Sequence, residues 1–152
     1  RGKMDTRIHF LNSLIKRLEN IDYDFYGFQN KEPIWGNDFY QALNNSKMGL
    51  NLSRGLPTKY YTSNRIASLM GNGLLTFVDK KTQLDDMFNA HEVIMYNNVN
   101  DLTDKINFYK KNDNQRKRIA SAGRKKYFKL FNELNIAKYI LDKSLGKKAT
   151  LY

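Results

Sequence analysis

The chain has 152 residues, 41% of them hydrophobic and 13% aromatic, enough for one domain with a sizeable core and too few for two. It has no cysteine and only two histidines, His9 and His91, which excludes a disulfide scaffold, a thiolate nucleophile, a Cys-based zinc or iron–sulfur site and a His-rich metal cage. The net charge is +11, and it is unevenly placed: residues 105–148 hold 14 basic and 3 acidic side chains, whereas residues 1–104 hold 12 of each sign.

No apolar run approaches the roughly 18–20 residues needed to span a bilayer, and no signal peptide is visible. The start, Arg1-Gly2-Lys3, reads as a cut inside a longer protein. A neutral body with a basic C-terminal segment has two readings. One is solvated lysine on the outer faces of terminal helices. The other is attraction to an anionic surface, either nucleic acid or phospholipid headgroups.

In chain order, Met4, Ile8, Leu11, Leu14/Ile15 and Leu18 recur at helical spacing and predict an amphipathic helix over 4–19. Ile21, Tyr23 and Phe25 then alternate with polar residues and predict a strand ending at Gly27. Trp35, between Ile34 and Gly36, reads as a packing residue, and Asn37 or Asp38 can cap a short helix to about Asn45. Residues 47–53 predict a second strand, followed by a loop marked by Gly55 and Pro57. Thr62 or Ser63 starts a helix with Ile66, Leu69 and Met70 on one side, stopped by Gly71-Asn72-Gly73. Residues 74–78 are almost continuously apolar, as in a strand buried on both faces, and 93–96 form a fourth short strand.

Asn98 caps a helix carrying Val99, Leu102, Ile106 and Tyr109. A second begins near Asp113 and carries Ile119, Tyr127, Leu130 and Leu134; a last one carries Ile136, Ile140 and Leu141. Tyr127 and Phe128 read as the buried side of their helix. Alternation of helix and strand predicts an α/β fold, a Rossmann-like parallel sheet with helices on both faces, over a single domain 1–152 with terminal basic helices from about 99 to 148.

Ligands in such sheets sit at the carboxyl ends of the strands. The loop after the second strand is the most informative. Its Gly-Leu-Pro stretch leads to Thr62-Ser63-Asn64-Arg65 at a helix start, where backbone N–H groups, hydroxyls and a guanidinium suit a phosphate. Ordinary N-capping with a surface ion pair for Arg65 accounts for the same residues equally well. Asp22-Tyr23-Asp24 has the form of a metal-holding Asp-x-Asp element. Its carboxylates would emerge at the beginning of the strand, away from the ligand edge, so that reading is disfavoured. Asp85-Asp86 reads as the start of a helical turn. His91 could touch a ligand, and His9 reads as a surface or half-buried residue.

Residues 65–75 resemble the "R-x-x-E-x-M-A-x-G-x-x-L" element of group-1 glycosyltransferases of the GT-B type. Further pieces follow in the family's order: Arg7 with Phe10-Leu11, Phe25-Tyr26-Gly27, and Tyr40 to Ser53 against "Y-x-x-A-L-x-x-S-K-I-G-L-N-x-S". Met87-Phe88 with Glu92-Val93 comes next, then Leu102, Lys105-Ile106, Arg116, Ile119-Ala120 and Gly123. The resemblance covers roughly residues 2–140. It implies the C-terminal half of a GT-B enzyme, which binds a nucleotide-sugar donor and works beside an N-terminal acceptor domain of the same polypeptide. It implies no metal and no further cofactor, and transfer of a sugar to an unknown acceptor only when both halves are present.

By the same resemblance, Gly27 and Phe28 lie by the base. Ser53, Arg54 and Gly55 face the diphosphate and sugar, and Thr62, Ser63, Asn64 and Arg65 cradle phosphate. The family's ribose-binding glutamate is Ser68 here, and the position eight earlier, acidic in many relatives, is Tyr60. A hydrogen bond to a charged acceptor contributes about 1.5–3 kcal/mol against about 0.5–1.5 for a neutral one. The substitution therefore means either a donor held differently or a divergent or inactive relative. The expected location is the cytoplasm, with docking on the inner membrane face open to the basic helices. The alternative is a non-enzymatic α/β module binding nucleic acid or an anionic membrane through those helices; nucleic acid is the less favoured partner.

Overall fold

The structure is a computed structural model and describes residues 6–52 and 56–149. The elements are α1 (Thr6–Ile15), α2 (Gly36–Asn45), β1 (Met48–Asn51), α3 (Asn64–Gly71), β2 (Leu75–Asp79), β3 (Ile94–Tyr96), α4 (Val99–Lys111), α5 (Asp113–Leu130) and α6 (Glu133–Ser144). Two 3-10 turns, Lys80–Thr82 and Leu84–Asp86, follow β2. The strands form a parallel sheet in the order β1-β2-β3, with Met48 opposite Leu75 and Phe77 opposite Ile94.

Alternation along β2 builds the core on both faces. Leu75 and Phe77 point to one side, where they pack with Ile94 and Tyr96 of β3, Leu14 of α1, Leu102, Ile106 and Tyr109 of α4, and Ile119 and Ala120 of α5. Val78 points to the other, with Ile66 and Met70 of α3, Leu84, Phe88, Val93 and Leu130. Each such buried side chain contributes about 1.5–3 kcal/mol of hydrophobic free energy. The expectation of a Rossmann-like parallel sheet with helices on both faces is met. The helix α5 serves both faces because its first half meets one cluster and its last turn the other. It passes close to the turn before β3: a methyl group at Gly123 would overlap the Glu92 carbonyl oxygen.

Five expectations fail. Residues 21–25 join no ladder, so the described residues hold three strands where the sequence predicts four. Ile21 and Phe25 instead pack against the cluster of α1 and α4, and the chain turns at Gly27, whose N–H donates to the Lys31 carbonyl at 2.9 Å. The helix predicted at 37–45 begins at Gly36 behind Trp35, so neither Asn37 nor Asp38 is its cap, and Trp35 is 75% exposed instead of packed. The fifth helix ends at Leu130 and does not reach Leu134. Asn132 caps α6 there by accepting from the Asn135 N–H at 2.9 Å. Tyr127 is partly buried as expected, but Phe128 is exposed.

Candidate functional site

The strands are parallel, so their carboxyl ends, Asn51, Asp79 and Tyr96, lie along one edge of the sheet. At β1 that edge is stitched to the start of α3. Asn51 is buried, and its side-chain oxygen accepts from the Ser63 hydroxyl at 3.5 Å. Ser63 is the N-cap of α3, and its Oγ accepts the Arg65 N–H at 3.3 Å. The Arg65 guanidinium donates to the Leu52 carbonyl at 2.7 Å, one residue past the strand. Arg65 therefore sits at the carboxyl edge.

A crevice of about 1340 Å³ runs from this corner along β1. On the far side it is walled by α1 and by the segment from Asn20 to Gln29. Gly27, Phe28, Arg65 and Ser68 all line it, as does Arg7. The charge of Arg7 reaches Arg65: burial first, and then this neighbouring cation, holds the Arg65 guanidinium below the usual arginine range. Two cations thus face one concave space. Such a pair attracts a ligand with more than one negative charge, and a guanidinium stays protonated there because its ordinary pKa is so high.

Thr62, Ser63 and Asn64 do not line the crevice. Ser63 is engaged in capping, and the Asn64 carbonyl accepts the Ser68 hydroxyl at 3.3 Å. Ser53, Arg54 and Gly55 lie outside the described residues. Tyr60 adopts a positive φ of 59°, its hydroxyl donates to Asp86 at 2.6 Å, and its N–H donates to the Thr82 carbonyl at 2.7 Å. That ties the loop before α3 to the turns after β2, with Asp85 and Asp86 in the second 3-10 turn.

The Asp24 carboxylate pairs with Lys31 and accepts the Tyr26 hydroxyl at 3.1 Å. Lys31 holds it below the ordinary carboxylate range. Among the described residues no three His, Asp or Glu side chains are grouped as a metal ion would require. His9 is exposed, and exposed His91 precedes β3, at the end of that strand opposite the carboxyl edge. The residue that motif reading underweighted is Arg7. Its helical position places it on α1, but only the docking of α1 brings its charge beside Arg65.

A profile of the glycosyl transferase-like family matches residues 7–142, which spans α1 to α6 and includes every crevice residue named above. The chain belongs to the glycosyl transferase-like family. No curated protein and no solved structure matched it. The family fits the architecture, a parallel sheet with helices around it. This is a glycosyltransferase-type domain. Among the described residues no helix is long and apolar enough to cross a membrane.

Proposed function

We propose that this glycosyltransferase-type domain binds the nucleotide-sugar donor, and that the crevice beside β1 receives it. The observation carrying this reading is the convergence of Arg7 and Arg65 on one concave space beside β1, with Arg65 at the carboxyl end of that strand. A nucleotide-sugar presents a diphosphate between an aromatic base and a sugar. The two guanidiniums suit the diphosphate, Gly27 and Phe28 form a wall for the base, and Ser68, one helical turn beyond Arg65, offers a hydroxyl to the ribose.

The chemistry follows from where charge develops. As the bond between the anomeric carbon and the diphosphate oxygen breaks, negative charge grows on the leaving group. Fixed cations at that point stabilise the transition state more than the ground state. The acceptor and the group that takes its proton belong, in this reading, to an N-terminal acceptor domain of the same polypeptide. The chain by itself then binds donor without turning it over.

Titration calorimetry with UDP-, GDP- and ADP-sugars tests this. The expected result is weak binding of one nucleotide class and none by Arg65→Ala. Heat from none of the three, or equal affinity in the Arg65→Ala protein, would remove the proposal.

A further inference from the structure

The strand β1 stands at an edge of the sheet, and among the described residues nothing pairs with it on its outer side. The Lys47 carbonyl accepts the Leu75 N–H, which sets the alternation of the ladder. Gly49 and Asn51 therefore turn their peptide groups to β2, and Met48 and Leu50 turn theirs outward. Met48 and Leu50 line the crevice. An edge strand with apolar side chains and free N–H and C=O groups is a template for a further strand.

Across the crevice lies a segment whose sequence alternates like a strand. Residues 20–29 form that wall. Ile21 and Phe25 pack against the same cluster as Met48 and Leu50, so pairing would need no reversal of faces. The direction also fits. The Asn20 carbonyl accepts from Lys110, near the end of α4, and α4 starts just beyond the carboxyl end of β3 and packs back along the sheet. Asn20 thus lies toward the amino ends of the strands. The Gln29 side chain donates to Asn12 of α1 at 3.1 Å, and Phe10 of α1 packs on Tyr96, at the carboxyl end of β3. The segment therefore runs the same way as β1, as a parallel sheet requires. No described residue accepts the Tyr23 or Asp24 N–H. The ties at Asn20 and Gln29 are single hydrogen bonds from exposed side chains, whereas pairing offers a ladder.

We propose that residues 21–25 are a strap that closes onto β1 as a fourth parallel strand, and that the structure holds its open state. Paired strands lie about 4.8 Å apart, so closure fills the crevice. Closure and a bound ligand then exclude each other, and a ligand in the crevice draws the equilibrium to the open form. The gating role rests on the donor-binding reading; the closure itself does not.

Amide hydrogen exchange, followed by NMR on the full chain, tests both. Successive N–H groups of a strand point to opposite sides, so in any parallel pairing either Tyr23 or Asp24 donates to β1. In the free protein the Leu50 amide and one of those two should exchange at least about tenfold more slowly than an unprotected peptide. A Tyr23→Pro, Asp24→Pro double variant removes both donors and should abolish the slowing at Leu50, while Phe77, inside the sheet, stays protected. UDP-, GDP- or ADP-glucose, whichever binds in calorimetry, should reduce the slowing of the strap amide at least about threefold. Exchange of Leu50 and both strap amides at the unprotected rate overturns the proposal. So does slow Leu50 exchange in the double variant, which would assign the protection to packing. Slow exchange that a bound nucleotide-sugar leaves unchanged makes residues 21–25 a permanent strand and overturns the strap. Binding of none of the three removes the donor reading and the gating with it, and the free protein alone then decides the closure.

Discussion

The guanidinium of Arg116, in the first turn of α5, donates to the carbonyl of Lys47 at 3.1 Å, across 69 residues of chain. Lys47 immediately precedes β1, and its carbonyl also accepts the Leu75 N–H at 3.2 Å. The same guanidinium donates twice to Asp113, at 2.6 and 3.0 Å. Arg116 is thereby a buried clamp between the C-terminal helices and the start of β1, the strand along which the crevice runs.

Arg116→Ala should therefore destabilise the fold by about 2 kcal/mol, the cost of losing charge-assisted hydrogen bonds in a largely buried place. Urea denaturation should show this as a lowered midpoint with an unchanged slope. Arg118→Ala, on an exposed position of the same helix, should leave the midpoint unchanged.

Acid should loosen the same clamp. Hydrogen bonds from Lys117 and Arg116 hold the Asp113 carboxyl at about 2, below its ordinary 3.8. A carboxyl depressed in the folded state binds fewer protons there than in the unfolded chain. Its contribution is complete above about pH 4 and is lost as the pH falls from there through about 2. Melting temperatures of the parent and of Asp113→Asn should converge over that window and stay apart, in the parent's favour, above it.

Tyr96 offers the opposite kind of change. Its ring packs on Phe10 at 5.9 Å, yet its hydroxyl is buried with no hydrogen-bond partner among the described residues, and burial raises its pKa well above the usual tyrosine value. Tyr96→Phe keeps the ring and removes a desolvated hydroxyl. The expected result is a gain of about 1 kcal/mol, read as a raised melting temperature.

Ser68 bears on the donor reading. It lines the crevice, at the position to which the resemblance of residues 65–75 assigns a ribose-binding glutamate. A carboxylate accepts a hydroxyl more strongly than a serine does, by about 1 kcal/mol. Ser68→Glu should therefore tighten nucleotide-sugar binding by roughly fivefold to tenfold in calorimetry, and should do nothing for inorganic diphosphate, which has no ribose.

The sequence by itself determined the elements whose signals are local. The apolar run at 74–78 is a strand buried on both faces because no polar alternation was needed there. Ser63 caps α3, and Asn98 caps α4 by accepting from the Asn100 and Asp101 N–H groups, because capping requires only neighbouring atoms. The order of motifs was enough to point to the glycosyltransferase resemblance, which the family match over residues 7–142 bears out.

Tertiary structure decided everything that depends on which surface meets which. The alternating Ile21, Tyr23 and Phe25 have strand character, but a strand exists only where a neighbour supplies its hydrogen bonds, and these residues pack on α1 and α4 without one. Arg116 stands in a run of three basic residues, and the docking of α5 turns it inward to a carbonyl that no local pattern names. Arg7 and Arg65 became neighbours only when α1 packed against α4. Helical periodicity likewise shows that α6 has an apolar face but not whether that face is turned inward, because amphipathicity fixes the relation of residues to one another and packing fixes their relation to water.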